Sequence, residues 1–94
     1  MENSITLNLT LELIQQNAER IMEIYSGLDG WLPDSQYPSW YGQYGEENYI
    51  VVSSEPSGLV VTGNVDSQLW IGWITVLCSK LTLAVGQPIH DAEM

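Results

Sequence analysis

The chain contains no phenylalanine, one cysteine, one histidine and two cationic side chains in 94 residues. Each shortage excludes something. A lone Cys78 cannot form a disulfide within the chain, so packing must hold the fold together. Cys78 and His90 stand twelve residues apart, and zinc takes three or four such ligands, so no metal set is expected. Two isolated cations, Arg20 and Lys80, cannot build the clustered positive surface that phosphates require, so nucleic acid is not an expected partner. An anionic membrane is disfavoured for the same reason.

Other patterns are missing too. Gly42 and Gly45 sit in WYGQYGEE without a following lysine or a helix-opening pattern, so there is no phosphate loop. No D-x-D-x-D run offers a calcium loop. Residues Met1 to Asn8 carry Glu2, no cation and no apolar core of signal-peptide type. A cytoplasmic location is therefore expected, and the unpaired cysteine fits a reducing compartment. The sequon Asn8-Leu9-Thr10 then reads as chance. Ser67 to Gly86 is apolar, but Gly72, Thr75, Ser79, Lys80 and Thr82 interrupt it. Its flanks are Asp66 and Asp91 rather than lysine or arginine, which argues against a transmembrane span.

What is present is acidity and apolar bulk. Twelve acidic residues against two basic ones give a net charge of −10, and 45% of the residues are apolar. That apolar share excludes wholesale disorder, and the length fits one domain, residues 1–94. With no phenylalanine, the aromatic part of the core must come from four tryptophans and five tyrosines.

The periodicities predict an α+β domain. Ile5, Leu7, Leu9, Leu11 and Leu13 alternate with polar residues, as in a half-buried strand. Ile14, Ala18, Ile21, Tyr25 and Leu28 follow helical spacing, and the two patterns overlap at residues 10–14. A strand over 4–9 is expected, then a helix capped by Thr10 and running to about Ser26, with Gly27 as its stop. Tyr49–Ser54 and Leu59–Thr62 are β-rich runs joined by Glu55-Pro56-Ser57-Gly58, a hairpin signal. Asp66 is a good N-cap, and Gly86 followed by Pro88 marks a C-terminal stop, so residues 67–85 are expected as a second helix. A second hairpin there competes, because Ile71, Ile74, Thr75, Val76, Thr82 and Val85 are β-branched. It would lack a turn residue near Cys78-Ser79. Both chain ends, 1–3 and 87–94, look frayed.

The expected order is β-α-(long loop)-β-β-α. This is a two-layer sandwich, with a small mixed or antiparallel sheet and two helices on one face. A parallel pairing of the first two strands through a right-handed crossover would make the sheet mixed.

One segment stands out chemically. Residues 28–48 form a long loop holding Trp31, Tyr37, Trp40, Tyr41 and Tyr44 with Asp29, Asp34, Glu46 and Glu47, and no cation lies between Arg20 and Lys80. Loops this long in a compact domain are usually functional or disordered, and the rings argue against disorder. Three readings compete: a lid folded back over the helices, a protein-binding surface built on Trp and Tyr, and a pocket for a cationic small ligand using ring faces and carboxylates.

Catalysis lacks a visible basis. Cys78 falls in the apolar helix and reads as a small core residue, while His90 lies in a polar tail. Glu46 and Glu47 are neighbours and point apart on an extended chain.

The leading expectation is a non-enzymatic binding or adaptor module without a cofactor. Its site is Trp31, Asp34, Tyr37, Trp40, Tyr41, Tyr44, Glu46 and Glu47, facing a basic protein partner or a cationic small molecule. The nearly all-round apolar second helix points to a homodimer through Trp70, Gly72, Trp73 and Leu77. Two alternatives come from other classes. One is an acidic inhibitor or mimic, of the size and charge seen on mobile elements and phages, that blocks a basic site on a macromolecule. The other is a small enzyme of undefined chemistry.

Overall fold

A computed structural model describes residues 2–93; Met1 and Met94, expected as frayed termini, lie outside the described residues. The elements in chain order are β1 (Asn3–Leu7), α1 (Leu11–Gln16), α2 (Ala18–Gly27), β2 (Trp31–Leu32), β3 (Ser39–Trp40), β4 (Tyr49–Glu55), β5 (Gly58–Asn64) and α3 (Ser67–Val85). Three helices thus accompany a five-stranded sheet of order β1-β5-β4-β3-β2, antiparallel throughout. The α+β class is as expected, while the order gains a helix and two strands.

The first helical region is broken where one helix was expected. Thr10 caps it, its hydroxyl accepting from the Leu13 N–H at 3.2 Å. Asn17 then leaves helical geometry (φ −120°, ψ 23°). Its side-chain amide donates to the Leu13 carbonyl at 2.9 Å, beside its own backbone N–H at 3.1 Å. A short amide that competes for a backbone acceptor in this way diverts the chain from the helix. The helix resumes at Ala18 and buries Ile21 and Tyr25.

The strand expected at 4–9 stops at Leu7, and it pairs with β5 rather than running parallel to β4. The reason is that β4's other side is taken by β3. The long segment supplies that strand: Trp31 pairs with Trp40 and Leu32 with Ser39, closing a hairpin around residues 33–38. The 28–48 loop therefore holds one short hairpin, with turns and bends on either side of it. The β4–β5 hairpin is as expected but tighter, with Glu55 opposite Gly58 and only Pro56 and Ser57 between them.

The outer side of β1 is covered by the tail, which is pinned rather than frayed. Asn8 N–H donates to the His90 carbonyl, His90 N–H to the Asn8 side chain, and Ala92 N–H to the Thr6 carbonyl. Covering a sheet edge removes a row of backbone groups open to another chain.

Residues 67–85 are a single helix, not a hairpin. Asp66 accepts from the N–H groups of Gln68 and Leu69, and Gly86 ends the helix at φ 77°. Trp73, Leu77 and Leu81, four residues apart, are its buried seam. They meet Leu7, Ile50, Val52, Leu59 and Val61 from the sheet and Ile21 and Tyr25 from α2 in one core. Gly63 lets α3 sit close, since a side chain there would come within 2.6 Å of the Trp70 ring. Trp40 is fully buried at the centre. Its ring lies 4.7 Å from Trp73, 5.3 Å from Tyr25 and 5.4 Å from Trp31. These tilted and edge-on arrangements are the favourable ones for aromatic pairs.

Candidate binding groove on the open sheet face

Side chains alternate across a strand, so a sheet with one face in the core has a second face to account for. Here Ile50, Val52, Leu59 and Val61 point to the core. The residues between them form the other face. Ser39, Val51, Thr62 and Ser4 stand in one row across β3, β4, β5 and β1, and Ser53, Val60 and Thr6 in the next. This surface combines valine methyls with small hydroxyls. The Ser4 and Thr62 hydroxyls lie 3.4 Å apart.

A groove of about 510 Å³ opens over this face. Val51, Ser53, Val60 and Thr62 form its floor, and Gln36, Tyr37, Gln43 and Tyr44 its rim. Tyr37 and Tyr44 are 59% and 65% exposed, the most exposed aromatic rings among the described residues. The rim is braced from within. The Ser39 hydroxyl donates to the Tyr37 carbonyl at 2.8 Å, the Gln43 side chain to the Ser35 hydroxyl at 3.0 Å, and Glu46 N–H to the Gln43 carbonyl at 3.0 Å. The Tyr44 ring leans on Tyr49 at 5.3 Å, and the Tyr49 hydroxyl donates to the Glu2 carboxylate. That hydrogen bond, with lesser help from burial, pushes the Tyr49 hydroxyl up to about 12.

The expected site residues divide sharply. Tyr37 and Tyr44 line the groove. Asp34, Glu46 and Glu47 are exposed in the turns around it. Trp40 has no exposed surface, so it cannot present a contact face; its indole N–H donates to the Tyr25 carbonyl at 3.0 Å. Trp31 is half-buried against it. Tyr41 faces away from the groove, toward α3, with its hydroxyl on the Asp29 carboxylate at 2.7 Å. Burial first, then that hydrogen bond and charge, push the Tyr41 hydroxyl up to about 12. The two tryptophans of this segment thus fold back into the chain's own packing, and the two tyrosines stay exposed.

The expected dimer residues divide as well. Trp73 and Leu77 are buried in the chain's own core, the Trp73 indole N–H donating to the Asp29 carbonyl at 3.3 Å. Trp70 is half-buried over Gly63. Gly72 alone of the four is fully on the outside. The apolar side chains that α3 shows to solvent are Leu69, Ile71, Val76 and Leu83.

The groove floor itself was not marked by residue type. Its signal is the run pattern: VVSS and LVVT carry valine, serine or threonine at both parities, so neither face of this hairpin is fully charged or fully greasy. Chemically, the groove offers methyls, hydroxyls, amides and two ring faces. No histidine, cysteine, carboxylate or cation lines it. Among the described residues, no group of three or more His, Cys, Asp or Glu side chains is placed to hold a metal ion. Cys78 is half-buried on α3, where burial raises its thiol pKa and so lowers its reactivity.

No protein-family model, curated protein or solved structure matches this chain.

Proposed function

We propose that this chain is a binding module that receives a segment of a basic protein partner on the open face of its sheet, gripped between Tyr37 and Tyr44. In this reading the helices and the sheet are two layers of a sandwich, and the sheet's second face is left for the partner. The observation that carries the proposal is the pair of exposed tyrosine rings above a groove of methyls and hydroxyls. Rigid amphipathic rings are the side chains most often found at the energetic centre of protein interfaces. The net charge of −10 selects the sign of the partner, and Asp34, Glu46 and Glu47 stand around the site to steer it without lining the contact. An inhibitor that occupies a basic site on a macromolecule would use the same surface.

The test is a titration of the ¹⁵N-labelled protein with a peptide alternating lysine and leucine, at about 50 mM and about 300 mM salt. Shifts are expected at Val51, Ser53, Val60 and Thr62, weaker at the higher salt. The double variant Tyr37→Ala/Tyr44→Ala should lose them while keeping the wild-type circular-dichroism spectrum and a cooperative unfolding transition. Perturbations confined to other surfaces, or unchanged in the double variant, would refute the assignment.

A further inference from the structure

The outer side of α3 carries a stripe that the chain leaves uncovered. Leu69, Gly72, Val76, Ser79 and Leu83 follow one another at steps of three, four, three and four residues. That is the 3.5-residue period of a helix–helix seam. All five are exposed, Leu83 to 83%. They flank the Trp73–Leu77–Leu81 seam that faces the core, about 120° around the helix from it. No carboxylate occurs in the nineteen residues of α3, on a chain that has twelve, and Lys80 is the helix's sole charge.

We propose that a second copy of this chain covers the stripe, with the two α3 helices antiparallel about a two-fold axis at Val76. Three features of this surface fit one another under that operation. Leu69 and Leu83 each lie seven residues from Val76, about 10.5 Å along the axis. The two-fold therefore sets Leu83 of one copy level with Leu69 of the other. Beside Leu69 is a notch of about 270 Å³, walled by Leu28, Tyr41, Gly72 and Val76, and Leu83 is the exposed knob that enters it. Gly72 and Lys80 each lie four residues from Val76, so Lys80 comes level with the other copy's Gly72. The notch at Gly72 also holds Asp29, whose carboxylate is oriented by the Tyr41 hydroxyl. The one cation on the helix thus meets the one carboxylate of the notch, twice by symmetry. Tyr41 holds this brace from a left-handed backbone (φ 71°). For a residue other than glycine this conformation is strained, and such strain collects at working surfaces.

A membrane is the other cover that suits an exposed apolar helix, and α3 has the length and hydropathy to cross one. The reciprocal knob, notch and charge pair favour the second copy, and the net charge opposes an anionic bilayer.

Sedimentation equilibrium of the full chain tests this. The expected mass is twice 10.5 kDa. Val76→Glu places two carboxylates at the axis and should raise the dimer dissociation constant at least ~100-fold with an unchanged circular-dichroism spectrum. Lys80→Glu and Asp29→Lys should each weaken the dimer ~10-fold or more, and the two together should restore it. In a Cys78→Ser background, Val76→Cys should form a disulfide-linked dimer on oxidation. A wild-type monomer up to ~500 µM overturns the proposal. So do a dimer indifferent to Val76→Glu, a charge swap that fails to rescue, and a monomer that binds phosphatidylcholine vesicles through α3. The groove is a separate surface: Tyr37→Ala/Tyr44→Ala should leave the mass at that of the dimer.

Discussion

Replacing Trp40 by alanine tests the central claim about the aromatic segment, that its rings divide into core and surface. Trp40 is wholly buried, its ring touches those of Trp73, Tyr25 and Trp31, and its indole N–H is bonded to the Tyr25 carbonyl. Truncating a buried tryptophan costs about 3–5 kcal/mol, a figure that already contains the lost ring contacts and the cavity. A domain of 94 residues has roughly 5–14 kcal/mol of stability in total. Trp40→Ala should therefore remove about a fifth of it at the least, and all of it at the low end of that range. In urea, at ~1.2 kcal/mol per molar, the midpoint should fall by roughly 2.5–4 M, or the variant should be unfolded without denaturant. Trp40→Phe separates the contributions. It keeps a ring and loses the hydrogen bond, worth about 0.5–1.5 kcal/mol. The Tyr25 carbonyl keeps the Leu28 N–H as a partner, so no acceptor is orphaned. Tyr37→Ala, at an exposed rim position, should change stability by no more than about 0.5 kcal/mol. Far-UV circular dichroism against urea reads all three. A Trp40→Ala loss below ~1 kcal/mol would refute the core assignment, because no fully buried tryptophan is that cheap to remove.

Gly63→Ala should destabilise the fold by about 1–3 kcal/mol in the same assay, since the added methyl meets the Trp70 ring and Ile50 at 2.6 and 3.0 Å; a neutral result would mean that α3 is free to lift. Alkali should also destabilise it. The Tyr25, Tyr41 and Tyr49 hydroxyls hold their protons above the ordinary value of 10, through burial at Tyr25 and Tyr41 and chiefly through Glu2 at Tyr49. Above pH ~10 the unfolded chain then binds fewer protons than the folded one, so stability present below pH ~10 is lost as pH climbs through about 12. The thermal midpoint should fall across that window, and less steeply in Tyr49→Phe; a Tyr49→Phe profile as steep as the wild type's would contradict the Glu2 contact.

Much of the local structure was legible along the chain because its causes are local. Thr10 and Asp66 cap helices with their own side chains, and Pro56-Ser57 turns the hairpin with nothing but backbone preference. The apolar runs of β4 and β5 and the α+β class followed from period and length. The break at Asn17 was written there too, but one amide's choice between solvent and the Leu13 carbonyl is not visible in a hydrophobic period.

Sequence by itself determined the charge, the reliance on tryptophan and tyrosine for bulk, and the segment in which exposed rings would occur. Tertiary structure decided which rings those are. Trp31 and Trp40 became cross-strand partners, and burying Trp40 against Trp73 and Tyr25 left Tyr37 and Tyr44 as the exposed pair. It also decided which side of α3 faces water, because apolar residues occur on every side of that helix; the choice came from Gly63 admitting Trp70 and from Trp73 reaching Trp40. Both are contacts between residues far apart in the chain, and their energies exist only once the sheet has brought them together.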